Sequence, residues 1–219
     1  MTMPPPIRRP AEVFSAAYDL LARAYLNGAA AFYLEATPTA GALAEVLGNF
    51  EHSLPGVLDR LLLRSETERA VAEQALESCF GLPLPGRYTP PISSVYLDGG
   101  QLWGPAAHKV MRLYEAEGLV WDRNRRGLGG AQISSPDHIG VEFAFLTVAS
   151  QRAPNRGRSA RITAMLAHLD AWLPLLIDAL AEQASADYPH RLTTLAHSLV
   201  TADPRRTAAP EATRASEHA

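Results

Sequence analysis

The sequence predicts an all-α protein built as a single helical bundle, and three observations carry that expectation. Apolar residues recur at every third or fourth position in segment after segment, the spacing that gathers them on one face of a helix. Nothing in the N-terminal half alternates with the period of two that a half-buried strand requires. Finally, Ile139, Phe143 and Leu146 form one apolar stripe while Val141, Phe145 and Val148 form a second. A helix apolar on two sides belongs at the centre of a bundle. The 219 residues, 47% hydrophobic and 20% charged, suffice to bury a sizeable core.

The elements follow in order. Residues 1–10 are proline-rich and read as disordered, and they contain the pair Arg8-Arg9. A twin-arginine export signal would continue into an uncharged apolar run, whereas here Glu12, Asp19 and Arg23 follow. That stretch is instead an amphipathic helix from Ala11 to about Asn27, stopped at Asn27-Gly28. Further helices are expected over Thr39 to Phe50, Pro55 to Leu63, and Glu66 to Phe80, the last capped by Ser65. Residues 81–104 are too rich in proline and glycine for a regular element and read as one long functional loop or hinge. Its aromatic content is Tyr88, Tyr96 and Trp103. A helix then opens at Gly104-Pro105 and ends at Gly118. The connection from Trp121 to Gly130 is polar, and the stretch Gln151 to Ser159 is a solvated basic loop.

The central helix is expected to begin at Ser135, with that side chain as cap, Pro136 in the first helical position and Asp137 in the first turn. His138 and Glu142 stand one turn apart on it, and polar groups on so apolar a helix need partners or a cleft. The next helix runs from near Ser159 to Trp172, with Pro174 kinking it or opening another. A last helix spans Tyr188 to Val200, and residues 201–219 read as a disordered tail. The domain is thus bounded at residues 11–200.

Composition narrows the function. A net charge of -3 leaves no footprint for nucleic acid. The single cysteine, Cys79, rules out an intramolecular disulfide and sits in apolar packing. No segment reaches the roughly 18 uncharged apolar residues that span a bilayer, so the expected location is cytoplasmic without membrane insertion. His138 has no second histidine at zincin spacing, so no metal is expected. There is neither a nucleophile elbow nor a P-loop lysine after Gly127-Leu128-Gly129-Gly130. The chain reads as a binder and not an enzyme. The alternatives are a small-molecule-binding helical regulator and a histidine-based enzyme.

Two stretches carry a resemblance. Pro90-Pro91-Ile92-Ser93-Ser94-Val95-Tyr96-Leu97 with Leu102-Trp103-Gly104-Pro105, and Pro136-Asp137-His138-Ile139-Gly140-Val141-Glu142-Phe143, together resemble the TorD/DmsD/NarJ family of molybdoenzyme chaperones. Trp172-Leu173-Pro174 in the C-terminal helices fits the same order of elements. The chain departs from it at Ile92 and Ser93, where the family often carries an aromatic residue and a glutamate. The resemblance implies a TorD-like all-helical fold and a partner that is the leader peptide or apo form of a molybdopterin-containing catalytic subunit. No cofactor of the protein's own is expected, and the resemblance leaves open nucleotide binding and either a monomer or a dimer swapped about the Pro83–Pro91 hinge. A leader with a cationic end and an apolar stretch needs carboxylates beside an apolar groove. Asp137 and Glu142, with His138 between them, are expected to meet the arginines, and Pro91, Tyr96 and Trp103 to line the apolar part.

Overall fold

Helix α1 (Pro10–Asn27) places Phe14, Tyr18, Leu21 and Tyr25 along one buried stripe, which is the spacing that makes it helical and the reason it is buried. It stops at Gly28, whose φ of 101° is left-handed backbone, and the carboxylate of Glu73 accepts the next amide, Ala29 N–H, at 2.8 Å. The computed structural model describes residues 10–33 and 54–207, apart from residues 82, 84, 123, 125, 131, 153–154 and 184–185. The helix expected over Thr39 to Phe50 lies outside the described residues, as do residues 1–9 and 208–219.

The bundle continues with α2 (Leu54–Asp59), shorter than expected, and α3 (Glu66–Leu76). Ser65 and Glu68 form a reciprocal capping box at the start of α3, satisfying two amides that the helix leaves open. A π-turn, Glu77–Gly81, follows and buries Cys79, whose thiol lies 3.7 Å from Gln183 Oε1. Burial pushes that thiol's pKa up, as suits a packing residue. Then come α4 (Ser93–Leu97), α5 (Pro105–Ala116), α6 (Ile139–Gln151), α7 (Arg156–Ala181) and α8 (Asp187–Ala202). Among the described residues there is no strand, only the isolated bridges Ile92 to His138 and Arg126 to Gln132.

The most extensive packing is between α1 and α6. Phe143 of α6 is stacked between Tyr18 and Tyr25, at ring-centroid distances of 5.8 and 6.2 Å. Such pairs add about 0.5–1.5 kcal/mol each beyond the area they bury. Both tyrosines keep a polar handle: Tyr18 donates to Asp203 at 2.8 Å, and Tyr25 shares a 2.9 Å hydrogen bond with Thr193. Gly140 lets the helices approach this closely, because a Cβ there would lie 2.7 Å from Leu26 Cγ.

Several expectations are corrected. The stretch read as one loop contains α4, because Ser93 and Ser94 are fixed by contacts described below. The central helix starts at Ile139 instead of Ser135, and its cap is His138, whose Nδ1 accepts the Gly140 amide at 3.1 Å. Ser135, Pro136 and Asp137 form the turn before it. Pro174 neither ends α7 nor opens a new helix: α7 runs through it without a break. By length and composition α7 also passes as a bilayer-crossing helix, which no segment was expected to do. Its Ile162, Leu166, Leu169, Trp172 and Leu176 are instead buried in the bundle core. Residues 201–207, expected in the tail, are folded onto the body, where buried Asp203 holds both Tyr18 and Arg205. Finally, Arg152 and Arg158 of the expected solvated loop converge on buried Glu117.

Candidate functional site

The site begins at the turn before α6. Asp137 is fully buried, and its carboxylate gathers three donors. Ser93 Oγ donates to it at 2.9 Å, the Ser94 amide at 2.6 Å, and the Ser135 hydroxyl binds the other oxygen. Backbone bonds reinforce this: the Ser93 amide donates to the Asp137 carbonyl at 3.1 Å and the Ile139 amide to the Pro91 carbonyl at 2.9 Å. The loop at residues 91–94 is thereby fastened to the turn at residues 135–139. Tyr114 of α5 adds a third strut, donating to the Pro136 carbonyl at 3.0 Å.

The fastening extends into α7. His168 Nε2 lies 3.0 Å from both Ser93 Oγ and Glu142 Oε1, and Trp172 donates its indole N–H to Glu142 Oε2 at 3.2 Å. Ser93 gives its proton to Asp137, so its oxygen accepts from the same His168 N–H that Glu142 shares. Asp137, Ser93, His168, Glu142 and Trp172 make one continuous buried line. Burial pushes the Glu142 carboxyl above the usual carboxylate range, and His168 pulls it back only in part. Serine, histidine and carboxylate stand together here, but not as a hydrolytic triad. The serine and the carboxylate meet the same imidazole nitrogen, and Ser93 is fully buried.

The sequence-derived site therefore divides in two. Asp137 and Glu142 are assigned to the client's arginines, yet both are 0% exposed with their oxygens engaged by protein donors, so in this conformation no arginine reaches them. His138 is buried as the helix cap, and Pro91 is buried at the head of the loop. Tyr96 is half-buried: its ring stacks on Trp172 at 5.7 Å, and its buried hydroxyl has no hydrogen-bond partner among the described residues.

Trp103 lies elsewhere, at the open end of the loop. Its indole N–H donates to the Ser134 carbonyl at 3.0 Å, and its ring meets Trp121 edge-on at 5.0 Å. The two indoles, with Gln132, Ile133 and Ser134, line a cavity of about 370 Å³. Leu97, Leu102 and Val120 are exposed nearby in the chain, Val120 by 94%. Asp98 turns the loop by capping α5 at Ala106 N, at 2.9 Å, a position open because residue 104 is glycine. Trp103 itself holds a left-handed φ of 63°, a conformation that costs a bulky residue of order 1–3 kcal/mol.

Sequence reasoning missed Ser93, Tyr114, His168 and Trp172 in the buried line and Trp121 and Val120 at the open face. One signal was available: His168 and Trp172 stand one turn apart, as do His138 and Glu142. Among the described residues, no group of three or more histidine, cysteine, aspartate or glutamate side chains is placed to hold a metal ion. No curated protein matches the chain. The profile described as nitrate reductase delta subunit matches residues 39–178, a span that takes in the loop, the Asp137 turn and most of α7. That span is well over half of the chain, which belongs to the nitrate reductase delta subunit family, a family of molybdoenzyme maturation chaperones.

Proposed function

We propose that this protein is a cytoplasmic, non-catalytic chaperone that holds the leader peptide of a molybdoenzyme catalytic subunit against the Trp103–Trp121 face. The observation that carries this reading is the cavity lined by Trp103 and Trp121, with Leu97, Leu102 and Val120 exposed close to those indoles in the chain, where Trp103 stands on a loop whose other end is locked. Exposed aromatic and aliphatic groups beside a preformed cleft suit an apolar peptide segment. An arginine of the leader would be received by Asp122, next to Trp121 in the chain.

In this reading Trp103 is the principal contact, and Tyr96, stacked on Trp172, anchors the loop that carries it. Asp137, His138, Glu142 and Pro91 act as positioning residues that fix the loop. The working domain runs from the first turn of α1 through residue 207, and the Pro83–Pro91 stretch is the hinge about which a swapped dimer would form. The protein needs no cofactor of its own.

Calorimetry with leader peptides of molybdoenzymes from the same genome tests the proposal. Micromolar binding that weakens when the leader's apolar segment or its arginines are replaced supports it. Absence of binding to every such leader removes it.

A further inference from the structure

Helix α5 hides Ala107, Val110 and Tyr114 in the bundle and turns His108, Lys109 and Arg112 to solvent. Arg112 follows Lys109 by three positions and His108 by four, so the three share one stretch of the outer surface. None of them has a hydrogen bond or an ion pair among the described residues.

That sets them apart in a chain whose net charge is -3. Elsewhere arginine after arginine is taken up by a carboxylate: Arg64 by Asp59, Arg69 by Glu66, Arg191 by Asp187, Arg205 by Asp203 and Arg206 by Asp170. Glu115, on the next turn after Arg112, is exposed too but makes no ion pair with it. Like charges that are neighbours on a helix repel each other, so Lys109 and Arg112 cost the helix stability without a local gain.

Their place in the fold names the partner. Trp103 stands just before α5, and Trp121 follows it after a short connection. The two rings nevertheless meet at 5.0 Å, so the chain doubles back along the helix after Gly118, whose φ of 68° is left-handed. The cationic face and the indole pair thus belong to one small unit. Arg112 lies about 10 Å along the axis from the start of the helix, a distance that about three to five extended residues cover. Nucleic acid and anionic membranes are bound by larger basic clusters than a lysine and an arginine on an acidic protein. Such a pair matches a short run of carboxylates.

We propose that the Lys109–Arg112 face receives a carboxylate-bearing segment of the client, the residues that flank the leader's apolar stretch on the side away from its arginines. The inference rests on the leader reading above and adds an orientation to it. The face repels the leader's arginines and leaves them to Asp122, the apolar stretch lies at the indoles, and acidic residues a few positions further on reach α5.

Lys109 is the only lysine of the chain, which makes the contact directly readable. Two leader peptides with blocked N-termini are compared, identical except that the apolar stretch is followed by a run of glutamates in one and of glutamines in the other. Calorimetry at low salt should show the glutamate form binding about three- to tenfold more tightly. That advantage should fade at about 0.5 M salt. Lys109→Gln combined with Arg112→Gln should abolish it and leave the affinity of the glutamine form as it was. A carbodiimide, which joins a carboxylate directly to an amine, should couple the glutamate form to Lys109. Lys109→Arg should keep the affinity and lose the coupling. Binding of neither peptide would remove the leader reading and this inference with it. Equal binding of the two forms, or a tighter glutamate form that does not couple to Lys109, would overturn this inference and leave the leader reading standing. Anionic vesicles or an oligonucleotide that bind through Lys109 and Arg112 while the two peptides bind alike would overturn it as well.

Discussion

The loop from Pro91 to Gly104 has two ends that behave differently. At residues 91–94 every side chain is buried, and Asp137 and His168 hold the serines in place. At residues 97–103, Leu97 and Leu102 are exposed by 38% and 53%, and Trp103 stands in a strained backbone conformation over a cavity. The first end is locked into the fold, and the second presents apolar side chains to solvent. The difference teaches that a motif residue can serve the fold at one end of the loop, as Ser93 does, and stand open to a partner at the other, as Trp103 does in the proposed reading. Substitutions at the anchored end should act on stability first, and those at the open end on affinity first.

The largest effect is expected at Glu142. Glu142→Ala leaves the indole N–H of Trp172 and the imidazole of His168 buried without their acceptor. Equilibrium urea unfolding should show a loss of about 3–5 kcal/mol. Asp137→Asn comes next, because an amide cannot accept from all three donors now on the carboxylate, and about 2–3 kcal/mol should be lost. If either variant kept full stability, the locked end would not be locked.

Trp103 sharpens the contrast. Trp103→Gly removes the ring but releases the left-handed strain, so it should be more stable than Trp103→Ala by about 1 kcal/mol. Both variants should bind the leader alike, and weakly. The smallest effect concerns acid, where two buried glutamates oppose each other. Glu117, held below the usual range, contributes stability above its unfolded pKa of about 4.3, and that contribution is lost as the pH falls through its lower folded value. Glu142, raised by burial, contributes below that unfolded value and loses the contribution as the pH rises through its higher folded one. Unfolding measured from pH 3 to 5 should therefore show a flatter acid limb in Glu117→Gln than in the native protein.

How much of this was legible in the sequence varies with the range of the interaction. The helical spacing of Phe14, Tyr18 and Tyr25, the Ser65 cap and the doubly apolar α6 are local patterns, and each could be read directly. The start of α6 was misplaced because Ser135-Pro136-Asp137 has all the local features of a helix start, and only the distant partners Ser93 and Ser94 draw Asp137 out of it. Charges deceived in the same way. Arg152 and Arg158 looked solvated because Glu117 lies more than thirty residues earlier in the chain. Glu142 looked like a ligand for arginine because nothing near it in the sequence announces His168 and Trp172. The pairing of Trp121 with Trp103 was illegible because the polar connection around Trp121 has no periodicity.

The central claim, that the open end of the loop and not its anchored end touches the client, is tested most directly by titrating one leader peptide into the native protein, Trp103→Gly and Trp121→Ala. Affinity should fall by about 10- to 100-fold in both variants, while their unfolding midpoints in urea stay within about 0.5 kcal/mol of the native protein's stability. Undiminished affinity in both variants would contradict the account and send the search for the leader site back to the buried Asp137–Glu142 line and whatever motion exposes it.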